Sequence, residues 1–298
     1  MIDTRLVTFI ALAKYRNYTE TAKSLHITQP AVTQHIQYME SLYGVKLVVR
    51  HGGQLHLTPE GELLLSYANK MDALSTEIQR ALHNRSGIAR KYKIGATLTI
   101  GEYVLPAILG QHRRVHPNID ISMSVQNTDI ILQELDHASL DLGLVEGPFN
   151  RQKYEHRIFK TDNLLLVVPP EHRLAGRDMV EIEELCQEKL IVREPGSGTR
   201  TFFEDNLRKR GYSLTDFATR MEIGNLNAIR SMVLANVGVS VISREVVKAE
   251  LAAGDLCHVP IRGMNLEREF CFVYLPESLA MEFIEGFMDF CLGQAPDA

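Results

Sequence analysis

The chain of 298 residues lacks the features that mark membrane and secreted proteins. No apolar run approaches the length of about 18 residues that a membrane span needs, and the run LLLVV at 164–168 has the length of a buried strand. The first residues include Asp3 and Arg5 and contain no cleavable secretion segment, so we expect a cytoplasmic protein without a membrane partner. The cysteines form no C-x-x-C pair, which favours buried free thiols over a redox or metal site. They are Cys186, Cys257, Cys271 and Cys291.

Few motifs of the sequence indicate an enzyme. The loop REPGSGTR at 193–200 has neither the G-x-x-x-x-G-K of a Walker loop nor the G-x-S-x-G of a nucleophile elbow. His112 and His116 have the i, i+4 spacing of a zinc site, but Arg113 replaces the glutamate, so we interpret them as a solvated helix face. No Ser/His/Asp or Cys/His constellation can be assembled. We therefore expect no catalytic residue, no metal and no cofactor.

Charge is distributed unevenly along the chain, whose net charge is −5. Residues 1–58 hold six Lys or Arg against three Asp or Glu, a net charge of +3, so the remaining residues carry −8. A basic head on an acidic body indicates that the head has an anionic partner of its own. The length predicts two or three domains, since a single hydrophobic core rarely extends over so many residues.

The basic head contains the pattern of two short helices joined by a tight turn. Thr19 is predicted to cap the first helix and Thr28 the second, whose Pro30 is tolerated in the first turn, where amides have no helical partner. One face of the second helix is apolar, with residues at i, i+4 and i+7 that are Val32, Ile36 and Met39. The opposite face carries the neutral amides and hydroxyls of Gln29, Thr33, Gln34 and Gln37.

Such a polar face is suited to the edges of DNA bases. Glutamine pairs with adenine, threonine bonds a base or a phosphate and offers its methyl group to thymine, and neither repels DNA. The segments KLVVR and QLHLT flank HGG and predict a β-hairpin with Arg50 and His51 at its tip, placed to grip phosphate or enter a minor groove. An ordinary solvated helix is the alternative for the polar face taken alone. The predicted DNA-binding residues are Thr28, Gln29, Pro30, Thr33, Gln34, Gln37, Arg50 and His51.

The run NYTETAKSLHITQPAVTQHIQYMESLYGVKLVVR at 17–50, followed by LTPEG at 57–61, resembles the winged helix-turn-helix of LysR-type transcriptional regulators. Val48 stands where that family usually has phenylalanine, and Gly52-Gly53 shorten the side chains of the wing. The resemblance implies double-stranded operator DNA as a partner, and the transcription machinery as a further one. It also implies a winged helix-turn-helix domain at 1–58, a linker and dimerisation helix at 59–90 and an effector-binding domain at 91–298.

The predicted linker helix carries apolar residues at the a and d positions of almost three heptads, which is typical of a coiled-coil seam. These residues are Leu64, Tyr67, Met71, Leu74, Ile78 and Ala81. A helix packed on its own body explains the spacing equally well. The resemblance favours a homodimer, since LysR-type regulators dimerise through this helix and commonly form a dimer of dimers. Two-fold symmetry also doubles the contacts of a recognition helix that reads few base pairs.

After the linker, strands alternate with helices, which predicts an α/β fold with largely parallel sheets. The predicted strands are IGATL (94–98), IDISMSV (119–125), LDLGLV (140–145), LLLVV (164–168), KLIVRE (189–194) and FCFVYL (270–275). The body resembles the effector domain of the LysR family, which has the two-lobe fold of periplasmic solute-binding proteins. On that resemblance lobe 1 contains residues of about 91–161 and 267–298, and lobe 2 contains residues of about 162–266.

Ligands of open α/β sheets lie beyond the carboxyl ends of strands, where helix N-termini point. The loops at these places supply hydroxyls, an amide and glycine-exposed backbone N–H groups, which suit a small anionic or polar metabolite. The candidate effector-binding residues are Thr97, Thr99, Thr128, Gly147, Ser197, Gly198, Thr199 and Asn225. A plain helix cap is the alternative for Thr97, Thr128 and Asn225, and a Gly-Ser-Gly turn is common in proteins.

Three segments of the body are similar to the branch of the LysR family that regulates inorganic-sulfur and carbon-fixation genes. They are LTIGEYVLP (98–106), REPGSGTR (193–200) and MEIGNLNAIR (221–230). Members of that branch respond to small anions or phosphorylated metabolites, but Leu226-Asn227 departs from the usual polar-acidic pair, so the effector is not identified. We expect a sequence-specific DNA-binding regulator. The rival function is a solute-binding module of a transport or signalling system, against which the basic head and the missing secretion signal argue.

Overall fold

The computed structural model describes residues 2–52, 54–83 and 90–294. The N-terminal head contains three helices and a hairpin, which are α1 (Thr4–Tyr15), α2 (Tyr18–Leu25), α3 (Gln29–Tyr43), β1 (Val48–His51) and β2 (Gln54–Leu57). Apolar residues of the helices and the hairpin share one core, in which Phe9, Ile36 and Leu47 are at most 2% exposed. This arrangement is the predicted winged helix-turn-helix.

Helix boundaries in the head follow local capping. Thr28 Oγ1 accepts a hydrogen bond from an amide of the first turn of α3 at 3.3 Å, and Pro30 lies in that turn, as predicted. The cap predicted for α2 is wrong. Asn17 is its N-cap, because the Asn17 Oδ1 accepts hydrogen bonds from the N–H groups of Thr19 at 2.8 Å and Glu20 at 3.1 Å. Asn17 stands two residues before Thr19, and its side-chain oxygen reaches two free amides of the first turn at once.

A single long helix, α4 (Pro59–His83), connects the head to the body. Thr58 Oγ1 accepts a hydrogen bond from the Gly61 N–H at 3.0 Å, so the helix begins where the sequence predicts. Gly61 packs directly on the head, since a Cβ there would lie 2.1 Å from the carbonyl oxygen of Leu47. The end of the predicted linker at 84–89 lies outside the described residues. In the parts of the chain that the structure describes, no helix has the length and apolar character to cross a membrane.

The body is a mixed α/β structure. Its strands are β3 (Arg90–Ala96), β4 (Ile119–Val125), β5 (Leu142–Val145), β6 (Glu155–Val168), β7 (Lys189–Val192), β8 (Thr219–Glu222), β9 (Val239–Ser243), β10 (Cys257–His258) and β11 (Glu267–Tyr274). Its helices are α5 (Leu105–Val115), α6 (Thr128–Asp136), α7 (Ile182–Leu185), α8 (Gly198–Arg208), α9 (Leu226–Leu234), α10 (Arg244–Ala253) and α11 (Met281–Gln294). A π-helical turn at Ile100–Val104 precedes α5, and a 3₁₀ turn at Leu214–Asp216 precedes β8.

The long strand β6 passes through two lobes. Its first half pairs antiparallel with β11, and its second half pairs antiparallel with β9 and β10. In lobe 1, β3 lies parallel between β4 and β5, and the core includes Ile94 and Phe270. In lobe 2, β7 lies parallel between β8 and β9, and the core includes Leu166 and Val241. Each lobe is thus built on parallel strands, whereas the strands that join the lobes are antiparallel.

Some strands of the body are not predicted by the sequence pattern. The segment EHRIFKTDN at 155–163 is rich in charged residues, and it becomes the first half of β6 because it pairs with β11 along its length. Strands β8 and β9 are not among the predicted strands either, although β9 is buried throughout. Their assignment depends on parallel pairing with β7, a partner that is distant in sequence.

Side chains that often indicate catalysis are structural in this body. The prediction of a solvated face is wrong for His112, which is 3% exposed and packs edge-on against Phe287 and Phe290 of α11. Burial lowers the pKa of His112, which favours its neutral form. All four cysteines are free, but the prediction of burial is confirmed only for Cys271 and Cys291, since Cys186 and Cys257 are half-buried. Burial raises the pKa values of the Cys271 and Cys291 thiols to about 11 and about 12. The described residues contain no cluster of three or more side chains suited to a metal ion.

Candidate DNA-binding surface and effector cleft

The outward face of α3 is the candidate DNA-reading surface. The apolar residues of α3, which are Val32, Ile36 and Met39, are 0–2% exposed and face the head core. The predicted contact residues at the start and on the opposite face are exposed or, for Thr33, half-buried, and they are Thr28, Gln29, Pro30, Thr33, Gln34 and Gln37. Gln29 Nε2 donates a hydrogen bond to Thr33 Oγ1 at 3.2 Å, so these two side chains hold each other. Gln34 and Gln37 present their amides to solvent.

The hairpin places its two predicted contact residues on opposite faces. Arg50 stands opposite Leu55 and His51 opposite Gln54, and successive residues of a strand point to opposite sides. Both Arg50 and His51 are exposed. Because the two side chains point to opposite sides of the hairpin, we expect Arg50 and His51 to make different contacts with a duplex.

We expect Gln34→Ala to lose about 1–3 kcal/mol of discrimination at one operator position, because a bidentate amide contact to a base edge contributes roughly that much. Arg50→Ala is the matched comparison. A phosphate contact carries no base information, so this variant should bind all sequences more weakly and lower the salt slope by about one unit per head. Competition binding with single-base operator variants, repeated over a salt series, measures both effects. If the base preference is unchanged after alanine substitution of Gln34 and Gln37, this face of α3 does not read the operator sequence.

In lobe 1, two predicted threonines meet the carboxyl group of Glu146, the residue that precedes the predicted Gly147. Thr97 and Thr99 follow β3, and Glu146 follows β5, so the three residues lie at the same edge of the sheet. The Thr97 hydroxyl donates to Glu146 Oε2, and the Thr99 hydroxyl donates to Glu146 Oε1 at 3.3 Å. All three are at most 6% exposed. A buried carboxyl group therefore occupies both hydroxyl donors.

Arg268 on β11 extends this cluster toward lobe 2. Its Nε donates to Asp162 Oδ2 at 2.8 Å, and its Nη1 donates to Thr199 Oγ1 at 3.0 Å. The same Nη1 lies 3.8 Å from Glu146 Oε1. Burial raises the pKa values of the Glu146 and Asp162 carboxyls, and the positive charge of Arg268 opposes both shifts. One guanidinium thus connects a carboxyl of lobe 1, a carboxyl of the crossing strand β6 and a hydroxyl of lobe 2.

The two lobes touch at a pair of glycines. A Cβ on Gly198 would lie 3.0 Å from the Cα and the N of Gly147, and a Cβ on Gly147 would lie 2.7 Å from Thr128 Oγ1. Thr128 does not cap α6, because the Asn127 Oδ1 accepts the hydrogen bond from the Ile130 N–H at 3.0 Å. Thr128 Oγ1 is buried and has no hydrogen-bond partner among the residues that the structure describes. A buried hydroxyl without a partner is costly, so this atom is a candidate for a ligand contact.

The remaining predicted residues lie at helix starts of lobe 2. Ser197, which is 3% exposed, directly precedes α8 and the glycine contact. Asn225 is exposed and serves as the cap of α9, since its Oδ1 accepts a hydrogen bond from the Ala228 N–H at 2.9 Å. The structure therefore brings the threonines and glycines of both lobes together but engages Asn225 in capping.

The sequence pattern selected the loop Glu146-Gly147-Pro148 but assigned the ligand contact to Gly147, and it did not select Asp162 or Arg268. A signal for the last two is present, because each is a charged residue inside a strand with buried apolar neighbours, in TDNLLLVV and EREFCFVY. Charged side chains are rarely buried unless they are paired, so each of them predicts a partner without identifying it.

Helix α6 runs from the cleft to the linker helix α4. Thr128 begins α6 at the lobe contact, and His137 caps its other end. His137 Nε2 lies 2.7 Å from Glu62 Oε2 of α4. Asn69 Nδ2, also on α4, donates to the His137 carbonyl at 2.6 Å and to Ser139 Oγ at 3.2 Å. A helix of nine residues is a rigid element about 14 Å long, so its two ends move together.

The opposite side of α4 bears an apolar stripe that faces solvent. Its residues are between 46% and 60% exposed, and they are Leu63, Tyr67, Met71, Leu74 and Ile78. Leu64, which the heptad pattern places in the seam, is half-buried against the head core instead. Leu63 continues the stripe in its place, because residues four apart lie on one side of a helix.

The sequence of the chain matches two known domains in succession. Residues 4–62 match the family described as "Bacterial regulatory helix-turn-helix protein, lysR family", and residues 85–296 match the "LysR substrate binding domain". The chain belongs to the LysR family of transcriptional regulators. An uncharacterized HTH-type transcriptional regulator of Methanocaldococcus jannaschii is 34% identical over 275 residues, which cover 91% of this chain and 90% of that protein.

Two further relatives of this LysR-type regulator have names that refer to sulfur- and carbon-related regulation, as the resemblance predicts. The HTH-type transcriptional regulator CysL of Bacillus subtilis is 30% identical over 272 residues, covering 91% of this chain and 90% of CysL. The RuBisCO operon transcriptional regulator of Allochromatium vinosum is 28% identical over 292 residues, which cover 98% of this chain and 95% of that protein. These proteins are named as regulators and not as enzymes.

Solved structures share the fold of this regulator. A full-length OxyR variant from Pseudomonas aeruginosa superimposes with a TM-score of 0.72 at 23% identity and covers 98% of this chain and 94% of its own. The regulatory domain of CcmR from Synechocystis PCC6803, solved in complex with 2-PG, has a TM-score of 0.63 at 24% identity. The match covers 70% of this chain and 99% of the CcmR domain. Both confirm the two-lobe effector domain, and the first includes the head.

Proposed function

We propose that this LysR-type regulator reads operator DNA with α3 and the wing and responds to a small oxyanion bound between its two lobes. The observation that supports an oxyanion as the ligand is the set of hydrogen-bond donors that converges where the lobes touch. The hydroxyl of Thr128, which has no partner among the described residues, and the N-termini of α6 and α8 lie there, next to the hydroxyls of Thr97 and Thr99, which donate to Glu146. Helix N-termini and backbone amides beside glycines favour negative charge.

Two observations support a ligand at this place. Thr128 Oγ1 is buried beside Gly147 and lacks a partner within the described part of the chain, which a bound oxyanion would supply. The regulatory domain of CcmR, which shares the fold of this effector domain, was solved in complex with 2-PG. A ligand that binds both lobes prefers one lobe arrangement, and only such differential affinity shifts a conformational equilibrium.

The signal would pass through α6 to α4. A change at Thr128 moves the whole of α6, and His137 and Asn69 transmit that movement to the linker helix that carries the DNA-binding head. We propose that α4 pairs with a second copy through its exposed stripe, giving a cytoplasmic dimer or dimer of dimers. Rotation of the paired linkers would change the spacing of the two heads on the operator.

Parallel measurements on the full chain and on a fragment that begins at Lys91 test this function. The full chain should bind an operator specifically, and a panel of small oxyanions should contain one that raises the thermal stability of both proteins. A ligand at 100 times its Kd adds about 2.7 kcal/mol of stability. The same ligand should change operator affinity of the full chain. A solute-binding module of a transport system would bind the ligand and show no specific DNA complex.

A further inference from the structure

The proposed effector cleft has a charge that does not suit a bare anion. Glu146 and Asp162 face the single guanidinium of Arg268, at 3.8 Å and 2.8 Å. Arg193 lies at the end of β7, where both of its hydrogen bonds at 2.7 Å go to the Glu194 carboxylate. Glu194 is half-buried, and the other four groups are buried. With every group ionised, these five groups together hold one more negative charge than positive charge.

Glu146 also competes for the donors that an oxyanion needs. Its carboxyl group accepts hydrogen bonds from the hydroxyls of both Thr97 and Thr99. The charged groups that act on it from other elements are Arg268 on β11, Asp162 on β6 and Arg193 after β7. A second anion at this place would lie beside an ionised carboxylate in a buried site, where the repulsion between like charges is large.

A proton removes this conflict. Protonation of Glu146 makes the charge of the set neutral and gives the carboxyl an O–H that can donate to an anion. Burial raises the pKa of the Glu146 carboxyl, which makes its protonation less costly than that of an exposed glutamate. Alternatively, the anion brings its own O–H and donates it to the ionised carboxylate. In both cases one proton lies between the two oxygens.

We propose that the cleft binds its oxyanion together with one proton, which the ligand shares with Glu146. The inference rests on the proposed function and narrows its ligand class to oxyanions that carry an acidic O–H or bind with a proton taken from solvent. Phosphate retains a proton at neutral pH and supplies it. Sulfate does not, so it takes up a proton from solvent when it binds.

Calorimetric titration of the full chain with sulfate and with phosphate, from about pH 6 to about pH 8, tests the proposal. Each titration is run in two buffers of different ionisation enthalpy, because the difference in heat counts the protons exchanged. At pH values above the pKa of Glu146, sulfate should take up close to one proton and its affinity should fall about tenfold per pH unit, since the protonated fraction falls in that proportion. Phosphate should take up close to none at the alkaline end.

Two variants separate Glu146 from other carboxyls. Glu146→Gln keeps the shape of the side chain and cannot titrate, so sulfate should bind it without proton uptake and without pH dependence. Glu134→Gln is the matched control, because burial also raises the pKa of Glu134, a residue of α6 outside the cleft cluster. The Glu134→Gln variant should take up the proton as the parent does. If Glu146→Gln fails to fold, the contrast between sulfate and phosphate in the parent decides.

The outcomes distinguish this inference from the proposed function. Binding of sulfate by the parent without proton uptake, at a pH where Glu146 of the free protein is ionised, overturns the shared proton and leaves an anionic effector site in place. Proton uptake that persists in Glu146→Gln overturns the assignment to this carboxyl. If neither anion binds the parent or Glu146→Gln at any pH, the assignment of an oxyanion as the ligand is wrong. That result does not bear on operator binding by the full chain, which is measured separately.

Discussion

Replacing both Met71 and Leu74 by glutamate should lower operator affinity by about 10²–10⁴-fold, which is the gain that linking two binding modules provides. The two side chains are 51% and 46% exposed in the middle of the apolar stripe of α4. Like charges at facing seam positions separate a coiled coil, and each separated head contacts only one half-site. The head and the lobes should remain folded, because Leu65 and Ala68 pack α4 against the head from its other side. Sedimentation and operator titration measure the two consequences.

The matched control places glutamate at two exposed apolar residues away from α4. Val115 and Ile158 are 62% and 48% exposed, on α5 and β6. Their double replacement adds the same charge and should leave both the sedimentation behaviour and the operator affinity of the parent unchanged. If the α4 variant sediments as the parent does, the stripe is not the dimer contact.

Thr128→Val should abolish the effector response and leave operator binding without effector intact. Valine has nearly the shape of threonine, and the hydroxyl that it removes makes no hydrogen bond within the described residues, so the folded protein loses no internal bond. The only expected loss is the contact to the ligand. Thr199→Val is the instructive comparison, because Thr199 Oγ1 accepts a hydrogen bond from Arg268 at 3.0 Å. That variant leaves a buried donor unsatisfied and should lose about 1–3 kcal/mol of stability as well.

Asn69→Ala tests the other end of α6. This change removes hydrogen bonds to the His137 carbonyl and to Ser139 Oγ, far from the cleft. Effector affinity measured by calorimetry should stay close to that of the parent, whereas the effect of the ligand on operator affinity should shrink from a typical 5–150-fold toward none. Asp72→Ala, an exposed position on the same helix, serves as the control and should respond as the parent does. An unchanged response in Asn69→Ala would show that the signal reaches α4 by another route.

Local structure in the head and linker was determined by neighbouring residues. The apolar spacing of Val32, Ile36 and Met39 decides which face of α3 is buried, and Thr28 with Pro30 decides where the helix begins. Thr58 and Pro59 start α4 in the same way. Each of these features depends on residues within about two turns, and such interactions are present before the chain folds. The cap of α2 shows the limit of prediction from neighbouring residues, since Asn17 and Thr19 both suit the role and the geometry of the folded chain selects Asn17.

The sequence by itself determined the basic head, the buried and polar faces of α3, the long linker helix and the alternation of strands and helices that makes the body α/β. Only the tertiary structure decided the site. Arg268 and Asp162 are separated by 106 positions, and they meet because β6 and β11 pair across the lobes. Glu146 reaches Thr97 and Thr99 because β3 and β5 end side by side. Buried charges select their partners by position in space, and that position depends on sheet order, which no local pattern of residues encodes.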